Sequence, residues 1–222
     1  MNRYYLAIEL ETDATFSRGD GVASILNQEV QHDNYGFPYI SGRTLKGLLV
    51  EACADIMESL KMMGKEVPWQ KSAARLFGKA GSTASEESIL HIGHAKLPDD
   101  LRRAIIREWV TADGNSPSKI LNTMTSVRYQ TAVDDVKQVA EANTLRSERI
   151  ILKGIYFEAL LAFSEKPLSE DLQLLSACIK AFYRAGSGVS RGRGRVKADL
   201  LDDDQKSILN DHFNLFKEAI LA

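Results

Sequence analysis

The chain has 222 residues, 44% of them hydrophobic and 26% charged, with two cysteines and a formal net charge of −2. This supports a full core in one large domain or two small ones, and it does not advertise a nucleic-acid binder, although a local basic face can sit on an acidic remainder. No apolar run approaches membrane-spanning length, no signal peptide is visible, and Cys53 and Cys178 read as small buried apolar residues, so a soluble, cytoplasmic protein is expected.

Tyr4 to Glu11 sets Leu6, Ile8 and Leu10 against Ala7, Glu9 and Glu11, which predicts a half-buried strand. Thr12 to Tyr35 is long and polar, with only Val22, Ile25, Leu26 and Val30 to attach it to a core. A loop of that length is usually functional or disordered. Ser41 or Thr44 can then cap a helix running to about Met62, with Leu45, Leu48, Leu49, Ala52, Cys53 and Ile56 inward. Arg43 and Lys46 fall near its start, where free N–H groups favour an anion. They form a candidate phosphate site, or are ordinary surface cations. The stretch is not a P-loop, because no Gly-Lys-Ser/Thr follows the required glycine spacing.

Arg75 to Gly78 closes a short helix, and Ile89 to Ala95 is a strand candidate. On a strand His91 and His94 point to opposite faces, which disfavours a shared metal. Pro98-Asp99-Asp100 starts a helix through Trp109, and Thr111 to Asn122 reads as loop. Ser126 to Asp134 leads into a polar stretch reaching Arg149, too poor in apolar residues to lie deep in a core. A protruding hairpin or a disordered insertion is expected there. Ile150 to Phe163 is strand-rich. Ser169-Glu170-Asp171 opens a helix with an N-cap hydroxyl and first-turn acids, and Gly186 is its expected C′ residue. Asp203 to Leu221 is an amphipathic helix.

The stretch Ala185 to Val196 places four glycines among hydroxyls and three arginines. From Arg184 to Lys197 there are five basic residues and no acidic one. Glycine lets another backbone come close, arginine suits phosphate, and hydroxyls add donors. The stretch reads as a loop that holds a phosphodiester backbone; a flexible surface turn has the same composition. It joins a helix to a strand, the reverse of a dinucleotide fingerprint, and Arg191 stands where the last glycine of that fingerprint belongs. The order of elements fits an α+β fold, a single antiparallel sheet with helices on one side and an open face suited to single-stranded RNA.

Three pieces, Pro38 to Gly47, Arg128 to Asp134 with Leu145-Arg146-Ser147-Glu148, and Gly186 to Val196, together resemble the RAMP superfamily of CRISPR-associated proteins. The likeness is strongest to the repeated backbone subunits of type III effector complexes. It implies a ferredoxin-like, RNA-recognition-motif-like domain over residues 1–222, with a loop insertion at about 12–36 and a thumb-like insertion at about 128–149. It implies guide RNA, target RNA and other effector subunits as partners, stacked head to tail, with the thumb displacing a guide–target base pair. Arg43, Lys46, Arg128, Ser190, Arg191, Gly192 and Arg193 are the RNA-binding residues it implies. No cofactor is implied for a binding subunit.

The chain departs from that family at one position. Active backbone subunits carry a catalytic aspartate in the loop after the first strand, and Asn27 stands at the matching place. An amide is neither a base nor an anionic metal ligand, so a subunit that does not cleave is expected. The alternatives are a Mg2+- or Mn2+-dependent endoribonuclease using Asp20 or Asp33, and a guide-processing nuclease using His32.

Overall fold

The computed structural model describes residues 3–17, 26–78, 88–110, 116–132, 139 and 144–222. Strand β1 (Tyr4–Leu10) lies between β5 (Tyr156–Phe163) and β6 (Val196–Leu201), and β2 (Leu90–Ile92) pairs with the far side of β5. The sheet order is β2–β5–β1–β6, and every pairing is antiparallel. Helix α1 (Gly42–Met62) lies on the connection from β1 to β2, and α5 (Ser169–Ala181) on the connection from β5 to β6. Two split β–α–β units therefore interleave, which is the ferredoxin-like arrangement.

Alternation along the strands decides which face is buried. Leu6, Ile8 and Leu10 of β1 stand beside Phe157 and Ala159 of β5 and Val196 and Leu200 of β6, all buried. Leu45, Leu49 and Cys53 of α1 and Leu175, Cys178 and Ile179 of α5 join the same core. Ser41 caps α1 as expected, its Oγ accepting from the Thr44 N–H at 3.1 Å. Cys53 and Cys178 are free and buried. Their mutual hydrogen bond lowers the Cys53 thiol from its ordinary value and raises the Cys178 thiol.

The remaining elements are insertions or extensions: α2 (Val67–Phe77), α3 (Asp99–Val110), α4 (Pro117–Met124), the hairpin β3 (Thr125–Gln130) with β4 (Arg146–Ile151), and α6 (Leu209–Leu221). Three local expectations are corrected. Part of the stretch read as loop at 111–122 is helix α4, because Pro117 starts it and Ile120, Leu121 and Met124 are buried on one side. Helix α5 is capped at Leu168, not Ser169: the Asp171 carboxylate reaches back to accept from the Leu168 N–H at 2.9 Å. Gly186 lies beyond the end of α5, and its Cα packs against the Thr15 carbonyl instead.

The segment after β1 is also more deeply integrated than its polarity suggests. Ala14 exchanges backbone hydrogen bonds with Ile151 at 3.0 and 2.7 Å, and Ala14, Phe16, Leu26 and Val30 are buried. Its contacts are isolated bridges, which leave no periodic signature. Val22 and Ile25 fall outside the described residues, as does most of the hairpin's outer end.

The open face of the sheet is lined by polar and charged side chains. Register places Tyr156, Glu9 and Lys197 in one row and Glu158, Ala7 and Asp199 in the next. Burial, then the charge and hydrogen bond of Glu158, then Asp199 and Glu9, push the Tyr156 phenol up to about 12. Burial chiefly, with Asp100 and Asp99 nearby, raises the Glu158 carboxyl. Lys197 in the first row and Lys96, bridged opposite Glu158, give the face both signs of charge.

Candidate nucleic-acid interface

The glycine-rich loop leaves α5, makes a single helical turn at Val189–Arg191, and enters β6. Its path requires left-handed backbone. Gly194 has φ +72°, and a Cβ there would lie 2.0 Å from the Ala185 carbonyl oxygen. Hydrogen bonds tie the loop to the segment after β1: Ser187 N–H to Thr15 O at 2.9 Å, Gly194 N–H to Asp13 O at 2.9 Å, and Arg195 N–H to Thr12 Oγ1 at 2.9 Å. These bonds anchor both ends of the loop.

The hairpin stands against this loop. Arg128 lies directly opposite Glu148, and Gln130 opposite Arg146, so these four side chains share one face. Arg193 Nη1 and Gln130 Nε2 both donate to Glu148 Oε1. Arg191 Nη1 donates to Gln130 Oε1 at 2.5 Å. Between loop and hairpin lies a cavity of about 500 Å³, lined among others by Asn27, Gln130, Arg146, Glu148, Ser190 and Arg191. Ser190, Arg191 and Gly192 are exposed, whereas Arg193 is buried.

The basic run is therefore less positive than it reads. Arg195 lies 3.4 Å from Glu11, Arg193 pairs with Glu148, and Arg184 donates to Val189 O at 3.1 Å. Arg128, expected to meet RNA, pairs with Asp13 at 2.7 Å. Arg43 and Lys46 do sit at the start of α1, but that start packs on β2 at one edge of the sheet. The glycine-rich loop leads into β6 at the other edge, so the two phosphate-site candidates are not brought together. Gln130, Arg146, Ser187 and Glu148 are site residues that the sequence reading did not place in the site. The signal that locates Gln130, Arg146 and Glu148 is the β3–β4 register, which a polar hairpin does not reveal.

Asn27 lies beside the same cavity, and its role there is visible. Its Oδ1 accepts from the Ser147 N–H at 2.8 Å and from the Ser147 hydroxyl at 3.3 Å, while its own N–H donates to Ser147 O at 2.9 Å. The side chain fastens the segment after β1 to β4. Asp33 is engaged as well: Oδ1 accepts from the Tyr35 and Phe37 N–H groups at 2.9 and 3.0 Å, and Oδ2 pairs with Arg102 at 2.5 Å. His32 Nδ1 lies 3.1 Å from Asp33 O. Asp20 is outside the described residues. Among the described residues no three of His, Cys, Asp and Glu converge as a metal site. His94 is used otherwise, its Nδ1 accepting from the Gly42 N–H at 3.1 Å.

A ferredoxin-like core with a glycine-rich loop between its last helix and last strand defines the class. The RAMP superfamily matches over residues 7–197, and the chain belongs to that superfamily. Among solved structures it is similar to a chain in the cryo-EM structure of the type III-B Cmr-beta bound to cognate target RNA, with a TM-score of 0.60 and 14% identity over 95% of this chain and 98% of that one. It is also similar to a chain of type III-B Cmr-beta in the apo state, with a TM-score of 0.62 and 12% identity over 89% of this chain and 96% of that one. At these identities the likeness is one of fold. None of the curated proteins matches the chain. No helix among the described residues is long and apolar enough to cross a membrane.

Proposed function

We propose that the chain is a guide-RNA-binding subunit of a type III CRISPR antiviral effector complex and does not itself cut target RNA. The observation that carries the reading is the rigid loop that presents Ser190 and Arg191 at the mouth of a polar cavity beside the hairpin. A preformed set of donors binds a phosphodiester without ordering the loop first. The hairpin is the thumb-like insertion of a single RAMP domain, placed to part a guide–target base pair. Its exposed Tyr129 offers a surface on which a displaced base can stack. Copies and other effector subunits stack head to tail along the guide in the cytoplasm. The absence of cleavage is supported by Asn27, whose acceptor oxygen is already engaged by Ser147.

The test is a cleavage assay on the purified complex, titrated with Mg2+ and Mn2+. Target RNA opposite this subunit is expected to stay intact. Cleavage there that disappears on Asp20→Ala or Asp33→Ala would establish the nuclease reading instead.

A further inference from the structure

We infer that the cleft binds one RNA phosphodiester in a clamp made by Arg191 of the loop and Arg146 of β4, and that Arg193 is the counter-ion of Glu148 and not a phosphate ligand. This rests on the RNA-binding reading above and divides the cleft's arginines by their partners. Arg128 faces Asp13, Arg195 faces Glu11 and Arg193 faces Glu148, so each already has a carboxylate. A phosphate drawn to Arg193 would sit beside the Glu148 carboxylate and be repelled by it.

Arg191 and Arg146 are different. The partner of Arg191 is the amide oxygen of Gln130, which is neutral and leaves the guanidinium charge uncancelled. Arg146 lies directly opposite Gln130 in the hairpin and has no ion-pair partner among the described residues. Both arginines therefore flank one amide, at the wall of the same cavity. Ser187 lines that cavity too, and its hydroxyl oxygen is buried with no hydrogen-bond partner among the described residues. Among the described residues these are two guanidiniums without a carboxylate partner and a donor without an acceptor, which an anionic oxygen recognises.

Glu148 and Gln130 are positioning residues in this arrangement. Glu148 takes one hydrogen bond from Arg193 and one from Gln130, which fixes the amide so that its oxygen holds Arg191.

The full chain would be titrated with a labelled single-stranded oligoribonucleotide across a range of salt. Arg146→Ala is expected to weaken binding about tenfold and to reduce the slope of log affinity on log salt by part of the roughly 0.7 due to the one shared phosphate. Arg193→Met alone leaves Glu148 unneutralised and is expected to weaken binding. The double variant Arg193→Met/Glu148→Gln is expected to recover affinity to within about twofold and to restore the full slope. A merely structural role for the pair would not produce that recovery. A double variant whose slope stays about 0.7 lower makes Arg193 a ligand and overturns the division. Because Arg146 is exposed, its variant folds and decides the clamp by itself. An unchanged slope there, while Arg191→Ala still weakens binding, sinks the clamp and leaves the RNA-binding reading intact. If Arg191→Ala also has no effect, the RNA-binding reading itself fails.

Discussion

The open face of the sheet and the loop–hairpin cleft are both made of polar side chains lined up by strand register, yet they carry opposite chemistry. On the sheet, Glu9, Glu158 and Asp199 come from three adjacent strands beside Lys197, and burial chiefly, with these carboxylates, raises the Tyr156 phenol. In the cleft, arginines from the loop and hairpin meet carboxylates from the segment after β1 and from β4, and among the described residues Arg191 and Arg146 have no carboxylate partner. The difference teaches that the charge of a surface is set by cross-strand neighbours and not by a run of like residues.

The largest expected effect separates the two regions by stability. Arg149 forms a 2.8 Å ion pair with Glu29, which is 5% exposed, behind the cleft. Arg149→Met leaves that carboxylate buried and unpaired, at a cost of about 3–5 kcal/mol in urea denaturation. Glu9→Gln on the exposed sheet face is expected to shift stability by less than about 0.5 kcal/mol. Equal effects would mean that the cleft is no more deeply built than the sheet face.

Next comes the loop's backbone. Gly194→Ala forces a Cβ to within 2.0 Å of the Ala185 carbonyl at φ +72°. About 2–3 kcal/mol of stability should be lost, together with most RNA affinity. Retained binding would show that the loop's shape does not matter to the ligand.

The third expectation sets the regions against each other for RNA. Arg191→Ala is expected to weaken binding about tenfold, with a salt slope smaller by part of the same ~0.7. Glu158→Gln is expected to leave binding unchanged. A clear gain in affinity from Glu158→Gln would place RNA on the sheet after all.

The smallest effect is a titration. Glu158→Gln should move the Tyr156 phenol from about 12 down toward the ordinary tyrosine value, leaving the part due to burial, as read by ultraviolet absorbance. The sign for stability follows. A phenol held protonated in the folded chain stabilises it fully below the unfolded value near 10, and that contribution disappears as pH rises to about 12. Thermal melts across that window should therefore show a fall that is smaller in the Glu158→Gln chain.

Much of the fold was legible where one periodicity runs long enough. Leu6, Ile8 and Leu10 announce β1, and Ser41 followed by Leu45, Leu48 and Leu49 announces α1. Those alternations support an α+β order, whereas the ferredoxin-like arrangement was implied by the family resemblance. Helix α4 was missed because eight residues with three buried side chains give barely two turns of signal. The glycine-rich loop was found from composition alone, but not the partners of its arginines. Glu148 lies 45 positions from Arg193, and Gln130 lies 61 from Arg191. Such pairs form only after the hairpin has folded back, so no local pattern records them. Arg146 was visible in the motif but had no assigned role, because its position opposite Gln130 depends on register.

The fastening at position 27 bears on what that position must supply. What the fold takes from Asn27 is one acceptor oxygen, filled by two donors of Ser147. An aspartate presents the same oxygen at the same distance along the side chain, so Asn27→Asp is expected to keep its melting temperature. The fastening at position 27 thus requires an acceptor oxygen and not an amide.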